Sequence, residues 1–358
     1  MLKHGIGLKT DTVIDRVEQT LSSCLQEIPF LKVRKVKAEA RQYGWKPGLI
    51  VKCQNGTQEK VLVVEAKENG QPKIARETVN QLLIYLKDFP KSYAIFAAPY
   101  ISPQAAALCI QNGIGYLDFA GNCFLNFDRV FVKKEGNINP FSIKRDLKSL
   151  YSPKAERAIR ALLSQPRHAW KIKDLSFAAE ISLGQSHNVK KILLDHEWIR
   201  SSKDGFQLSN PGALLQEWAE NYNFRRNEVR DFYSVKSLSE IEAEIASVCE
   251  KHKITYALTG FSGGARIASI GRYQRATAYV ELQGLEKIIS SLNLKEVPSG
   301  ANVSLLIPYD FGVFYGKREF NGTHVVSPVQ IYLDLLGFRG RGEEAANQVL
   351  DEVIKKSW

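Results

Sequence analysis

The spacing of apolar positions along the chain changes character twice, and each change predicts a new kind of segment. Between residues 11 and 27, Val13, Ile14, Val17, Leu21 and Leu25 recur at helical spacing, with Asp11 placed to cap the first turn. Short β-type runs follow at residues 31–37, 49–53 and 61–66, the last two joined by a turn at Asn55-Gly56. A helical pattern over 73–89, an apolar strand over 93–98, a helix over 103–112 and short strands near 116–118, 123–127 and 129–133 complete this part. Helix, strands, helix, strand, helix, strand is an α/β order. The polar, turn-rich stretch 135–140 reads as a linker that closes a first domain at residues 1–140.

From Pro153 the pattern shifts to short helices. One spans 153–164 with Ala155, Ile159, Leu162 and Leu163 facing inward, and a second spans 170–179, packed through Ile172, Leu175 and Ala179. A tight connection at 181–184 leads to a third helix over 183–196, whose Val189, Ile192 and Leu193 point inward. A hairpin over 197–209 turns at Asp204-Gly205, and Asn210-Pro211 starts a helix that runs through Tyr222. Helix, helix, turn, polar helix, hairpin is the order of a winged helix-turn-helix, predicted over 150–224. Residues 231–358 then alternate again: helix 238–249, strand 255–259, a helix after Gly260, strand 277–282, helix 285–292, strand 303–307 and a terminal helix from about Ser327. The chain shows no internal repeat and no low-complexity segment, so the expected fold class is α/β multidomain.

Charge sharpens this picture. The formal net charge is +11, divided as +8 over residues 1–150, +4 over 151–230 and −1 over 231–358. A basic front and a neutral back predict a polyanionic partner for the first two parts. On the third helix of the predicted winged helix, Ser186, His187, Lys190 and Lys191 are placed on the face opposite the apolar one. That face offers donors to base edges and cations to phosphates, and Gln185 and Asn188 have the side chains that pair bidentately with adenine. Arg200, Ser201, Ser202 and Lys203 at the hairpin tip suit contacts to the backbone, with Trp198 packed beneath the third helix. Double-stranded DNA is therefore the expected partner, and nothing in the pattern specifies an oligomeric state.

Several other function classes are set aside. There is no run of 18 apolar residues, and residues 1–7 lack the apolar core of a signal peptide, so a cytoplasmic protein without membrane attachment is expected. Cys24, Cys53, Cys109, Cys123 and Cys249 are scattered and the six histidines do not cluster, which predicts neither a zinc site nor a disulfide framework, and no cofactor.

Two further motifs point to chemistry. The apolar run 61–66 ends in Glu65-Ala66-Lys67, with Glu39 upstream and Gln81 on the following helix, and this resembles the restriction-endonuclease-like core. In that core an Asp and the Glu hold Mg²⁺ while the Lys steadies the nucleophile. Here the position of the metal-binding Asp reads Trp45-Lys46-Pro47-Gly48, so Glu39, Glu65, Lys67 and Gln81 are read as degenerate positions of a domain without catalytic residues. In the back part, Thr259-Gly260-Phe261-Ser262-Gly263-Gly264 follows a strand and resembles the glycine-rich turn of nucleotidyltransferases. The next strand carries one carboxylate, Glu281, where those enzymes need two, so an inactive nucleotidyltransferase-like domain is expected at 231–358. The turn-rich element 113–122, with Asp118 and Asn122, reads as structural.

The combination resembles the AbiEi-type antitoxins of type IV toxin–antitoxin (abortive infection) systems. The resemblance is carried by Val64-Glu65-Ala66-Lys67, by Tyr116-Leu117-Asp118-Phe119-Ala120-Gly121-Asn122, by Ser182-Leu183-Gly184-Gln185 and by Val326-Ser327-Pro328-Val329-Gln330-Ile331-Tyr332-Leu333-Asp334-Leu335. It implies a DNA-binding transcriptional regulator that represses its own operon through the winged helix. It also implies a functional partner that is a nucleotidyltransferase-like toxin, with antitoxin activity in the C-terminal domain. The competing expectation is a restriction-like DNA endonuclease targeted by its winged helix.

Overall fold

The helical spacing at the start of the chain is realised as α1 (Thr10–Gln26), whose Val17, Leu21 and Leu25 are buried against a sheet. The computed structural model describes residues 10–26, 28–36, 48–55, 58–139 and 150–358. Glu39, residues 45–47, Gly56 and Pro140 lie outside the described residues, as does the side chain of Asp11. The chain divides into two compact units, residues 1–145 with 194–197, and residues 146–193 with 198–358.

In the first unit seven strands lie side by side in chain order: β1 (Lys32–Val36), β2 (Leu49–Asn55), β3 (Gln58–Ala66), β4 (Ser92–Ala98), β5 (Gly115–Asp118), β6 (Cys123–Phe127) and β7 (Val130–Lys134). β1–β2–β3 pair antiparallel, β3–β4–β5 parallel, and β5–β6–β7 antiparallel. Parallel neighbours need a crossover, and α2 (Pro72–Asp88) and α3 (Pro103–Gln111) provide it. Period-two alternation sorts the strand residues between two faces. Leu62 and Val64 join the α1 side, while Val63 joins Ala75, Val79 and Leu82 of α2 on the other. The five cysteines are free thiols, and two that are far apart in sequence meet: Cys24 Sγ lies 3.9 Å from Cys123 Sγ.

The second unit joins a helical module to a second sheet. Its helices are α4 (Pro153–Ser164), α5 (Ile172–Ala178), α6 (Leu183–Asp195) and α7 (Pro211–Asn221), with the hairpin β8 (Ile199–Ser201)–β9 (Phe206–Leu208) between the last two. The sheet follows as β10 (Glu228–Tyr233), β11 (Tyr256–Leu258), β12 (Ala276–Val280), β13 (Lys295–Glu296), β14 (Val303–Ile307), β15 (Arg318–Phe320) and β16 (Thr323–Val325), in the spatial order β13-β10-β14-β12-β11-β16-β15. One face is covered by α8 (Leu238–His252) and α10 (Leu285–Leu292) through Ile241, Ile245, Leu285, Ile288 and Leu292. A reciprocal Ser237–Glu240 capping box starts α8. The remaining helices are α9 (Gly260–Gly264), α11 (Pro328–Leu336) and α12 (Gly342–Val349), which pack on one another. Among the described residues no helix is long and apolar enough to cross a membrane.

Candidate nucleic-acid interface

The sequence places a polar helix and a hairpin next to each other, and local chemistry fixes both. Ser182 Oγ accepts from Gln185 N at 3.2 Å while Gln185 Oε1 accepts from Ser182 N at 3.2 Å, a reciprocal box that pins the first turn of α6. Val189 and Leu193 anchor the helix inward. The hairpin gains a third partner where Trp170 and Phe206 exchange backbone hydrogen bonds of 2.8 and 2.9 Å. Gly205 makes that approach possible: a Cβ there would sit 2.4 Å from the Trp170 carbonyl oxygen. Trp198 is buried at the hairpin's entry, where its N–H donates to Leu193 O at 2.9 Å.

The predicted contact residues divide among different environments. His187, Asn188 and Lys191 are exposed on α6, and Arg200 and Lys203 are exposed on the hairpin. Lys190 is half-buried, its ammonium 5.2 Å from the Phe206 ring centroid, so its stem lies against the hairpin. Gln185 is half-buried with its carbonyl oxygen engaged in the helix cap. Ser186 corrects the expected face: it is fully buried, because residues three and seven further on, Val189 and Leu193, are the inner stripe it joins. Ile192, expected inside, is half-buried.

Helix α4 was expected to turn one face inward, yet its residues 155, 156 and 158–163 are all buried. Its second buried face meets the sheet region through charge. Arg157 grips Asp310 with two hydrogen bonds, 2.8 and 3.0 Å. Arg160, fully buried, donates to Gln330 Oε1 from Nε at 2.9 Å and Nη2 at 2.8 Å, and lies 4.9 Å from the Trp218 ring. Glu156, also fully buried, receives Arg226 Nη1 at 2.9 Å and the Tyr309 hydroxyl.

Gln330 then donates to Asp334 Oδ1 at 2.9 Å, one helical turn along α11. Asp334 Oδ1 also accepts the Tyr222 hydroxyl at 2.7 Å and the Tyr279 hydroxyl at 3.0 Å, and Oδ2 accepts Thr259 Oγ1 at 2.5 Å. Burial pushes the Asp334 carboxyl up to about 6 even though all four donors favour its charged form. The same burial, beside that carboxylate, raises both tyrosines well above the usual phenol range, which keeps them as donors.

The glycine-rich turn is filled by protein. A Cβ at Gly263 would sit 2.9 Å from Leu258 O, and one at Gly264 would sit 2.3 Å from Ile270 Cδ1. Gly260 has φ +54° and faces the Phe338 ring. Those glycines allow α9 to press against α11, which accounts for the turn by packing.

Residues 207–355 contain Tyr222, Arg226, Thr259, Tyr279, Tyr309, Gln330 and Asp334, and they match the family model described as transcriptional regulator, AbiEi antitoxin, Type IV TA system. The resemblance to AbiEi-type antitoxins holds over that segment. No curated protein and no solved structure matches the chain. Within the AbiEi-matching segment, the motif that carried the resemblance therefore supplies the centre of the buried polar network.

The degenerate nuclease-like positions lie in the first unit. Glu65, at the end of β3, is buried; Lys67 Nζ lies 2.7 Å from its Oε1 and Gly48 N 3.4 Å from its Oε2. Gln81 is half-buried on α2, and Glu39 lies outside the described residues. Among the described residues, no three His, Cys, Asp or Glu side chains come together in a metal-holding group. Asp118 organises its own turn, accepting from Ile101 N, Ala120 N, Asn122 N and Asn122 Nδ2 at 2.9–3.2 Å. Asn122 in turn exchanges hydrogen bonds with the backbone of Asn137, fixing where the chain leaves the sheet.

Proposed function

We propose that the chain is a DNA-binding transcriptional regulator and AbiEi-type antitoxin that represses its own operon through a winged helix-turn-helix at residues 150–224. The observation that carries this reading is the set of exposed polar and cationic side chains on two adjoining elements: Lys191 with His187 and Asn188 on α6, and Arg200 with Lys203 on the hairpin. The first suits base edges and flanking phosphates in a major groove, the second the backbone beside it. The antitoxin assignment rests on the family match over 207–355. A nucleotidyltransferase-like toxin is the functional partner on this reading, and operator duplex is the ligand.

The experiment is a titration of labelled duplex DNA at low salt with the full chain and with Lys190→Ala combined with Lys191→Ala. Affinity is expected to fall by about tenfold or more, and the slope of log affinity against log salt to become shallower by about 2. Unchanged affinity and slope would remove α6 from the interface.

We further read the first unit as restriction-endonuclease-like and without cleavage. The order α1-β1-β2-β3-α2-β4, antiparallel and then parallel, supports the fold, as does Glu65-Ala66-Lys67 at the end of β3. Engagement of both Glu65 oxygens by Lys67 and Gly48 supports the inactivity. Residues 231–358 are read as nucleotidyltransferase-like, from their strand, glycine turn and strand, with Glu281 the one carboxylate over 276–282. In a plasmid-nicking assay with Mg²⁺ or Mn²⁺, wild type and Glu65→Ala are expected to leave supercoiled DNA equally intact. Nicking by wild type that Glu65→Ala abolishes would establish the endonuclease alternative instead.

A further inference from the structure

The outward stripe of α6 is headed by an apolar side chain. Leu183 is the first residue of the helix, and His187 and Lys191 follow it at intervals of four, so the three share one stripe. Leu183 is 57% exposed, and it lies within a first turn already fixed by the Ser182–Gln185 box, so the cap does not require its isobutyl group. Phe177 of α5 is 87% exposed and, with Ser182 and Gln185, lines an open cleft at the same end of α6.

We propose that Leu183 is a specificity-determining residue that reads the 5-methyl group of thymine in the major groove. The inference rests on the DNA-binding reading above. In helix-turn-helix proteins the N-terminal residues of the second helix reach the base edges, and Leu183 occupies that position. Thymine alone presents a methyl group there, whereas the other bases present donors and acceptors that a leucine would strip of water without replacing the hydrogen bonds. The neighbouring cation Lys191, with Arg200 and Lys203 on the hairpin, matches the flanking phosphates, which favours DNA over an apolar protein surface as the occupant. A helix headed by Leu183 and continued by His187, Asn188 and Lys191 thus prefers a site whose contacted end contains an A·T pair.

The test removes the methyl from the DNA rather than altering the protein first. A duplex enriched by the full-length protein from a random-sequence pool is resynthesised with deoxyuridine in place of thymidine, and both forms are titrated with wild type and Leu183→Ala. Wild type is expected to lose about fourfold in affinity per contacted methyl. Leu183→Ala is expected to bind the thymidine duplex as weakly as wild type binds the deoxyuridine duplex, and to show little difference between the two. Because Leu183 is exposed, this variant keeps the fold, and an unchanged melting temperature checks it. Wild type that binds both duplexes equally, or Leu183→Ala that keeps the wild-type ratio, overturns the thymine reading while leaving DNA binding intact. Failure of wild type to enrich any duplex overturns the DNA-binding reading and this inference with it.

Discussion

Replacing Arg160 with alanine is expected to destabilise the second unit by about 3–5 kcal/mol, the typical cost of removing one partner from a buried charged pair. For a unit of this size that corresponds to a fall of about 10 °C in melting temperature. The loss has three sources. Gln330 Oε1 loses both of its guanidinium donors at 2.8–2.9 Å, Glu156 loses a cation 3.7 Å away, and Trp218 loses the group stacked 4.9 Å from its ring. Water does not replace these contacts, because Arg160, Glu156, Gln330 and Trp218 are all fully buried. Arg341→Ala is the control: its pair with Glu344 is exposed on both sides and contributes less than about 1 kcal/mol. Thermal melts of both variants compare the two environments directly. Equal shifts would mean that Arg160 does not tie α4 to α11.

That tie matters for function because α4 is the first helix of the module that presents α6 and the hairpin. Glu156, Arg157 and Arg160 on α4 each meet a residue beyond position 225: Arg226 and Tyr309, Asp310, and Gln330. The module proposed to bind DNA and the AbiEi-matching segment therefore share one buried polar core. A variant in that core should shift the melting of both parts together, which distinguishes it from a surface change at Lys191.

Much of the local structure was legible from spacing alone. The helix expected over 183–196 is Leu183–Asp195, the one over 153–164 is Pro153–Ser164, and the strand expected over 93–98 is Ser92–Ala98. These elements have long periodic patterns or clear caps, as at Asn210, whose side chain accepts from Ala213 N at 3.0 Å. Strand β10 was missed because Glu228–Tyr233 straddles residue 231, where the expected back domain starts, although it sits beside β14 within the sheet. The hairpin β15–β16 was missed despite Asn321-Gly322, since three-residue strands give alternation too little length to register.

The network was invisible for a different reason. Arg160 and Gln330 are 170 positions apart, and no periodicity links them. A local trace did exist: Glu156 and Arg160 interrupt an apolar helix face at a spacing of four, as Gln330 and Asp334 do on α11. Polar residues inserted at helical spacing into otherwise buried faces need partners, so two such insertions in one chain are a reason to look for a shared site. Ser186 failed for the opposite reason. Counting four residues to Lys190 placed it outside, whereas counting three to Val189 and seven to Leu193 places it inside, as observed.

Asp334 should give the second unit a distinctive pH dependence. Its carboxyl is raised from 3.8 to about 6 by burial, so between those values the folded chain holds a proton that the unfolded chain has released. The unfolded state then binds fewer protons, and stability falls as pH rises through this window. The group's contribution is most favourable below about pH 4 and is lost by about pH 7, a change of about 3 kcal/mol for a shift of about two units. Asp334→Asn removes the titration while preserving an Oδ1 acceptor for Tyr222, Tyr279 and Gln330, and its amide can donate to Thr259 Oγ1. Its stability at pH 7 is therefore expected to equal or exceed that of wild type, with the advantage disappearing or reversing towards pH 4. Asp334→Ala is expected to lose about 3–5 kcal/mol at either pH, because three buried hydroxyls and an amide are left without their acceptor. Urea unfolding of the three proteins at pH 4, 5.5 and 7 reads the slope directly. If the difference between wild type and Asp334→Asn stays constant across that range, the carboxylate does not titrate there, and its four donors outweigh its burial.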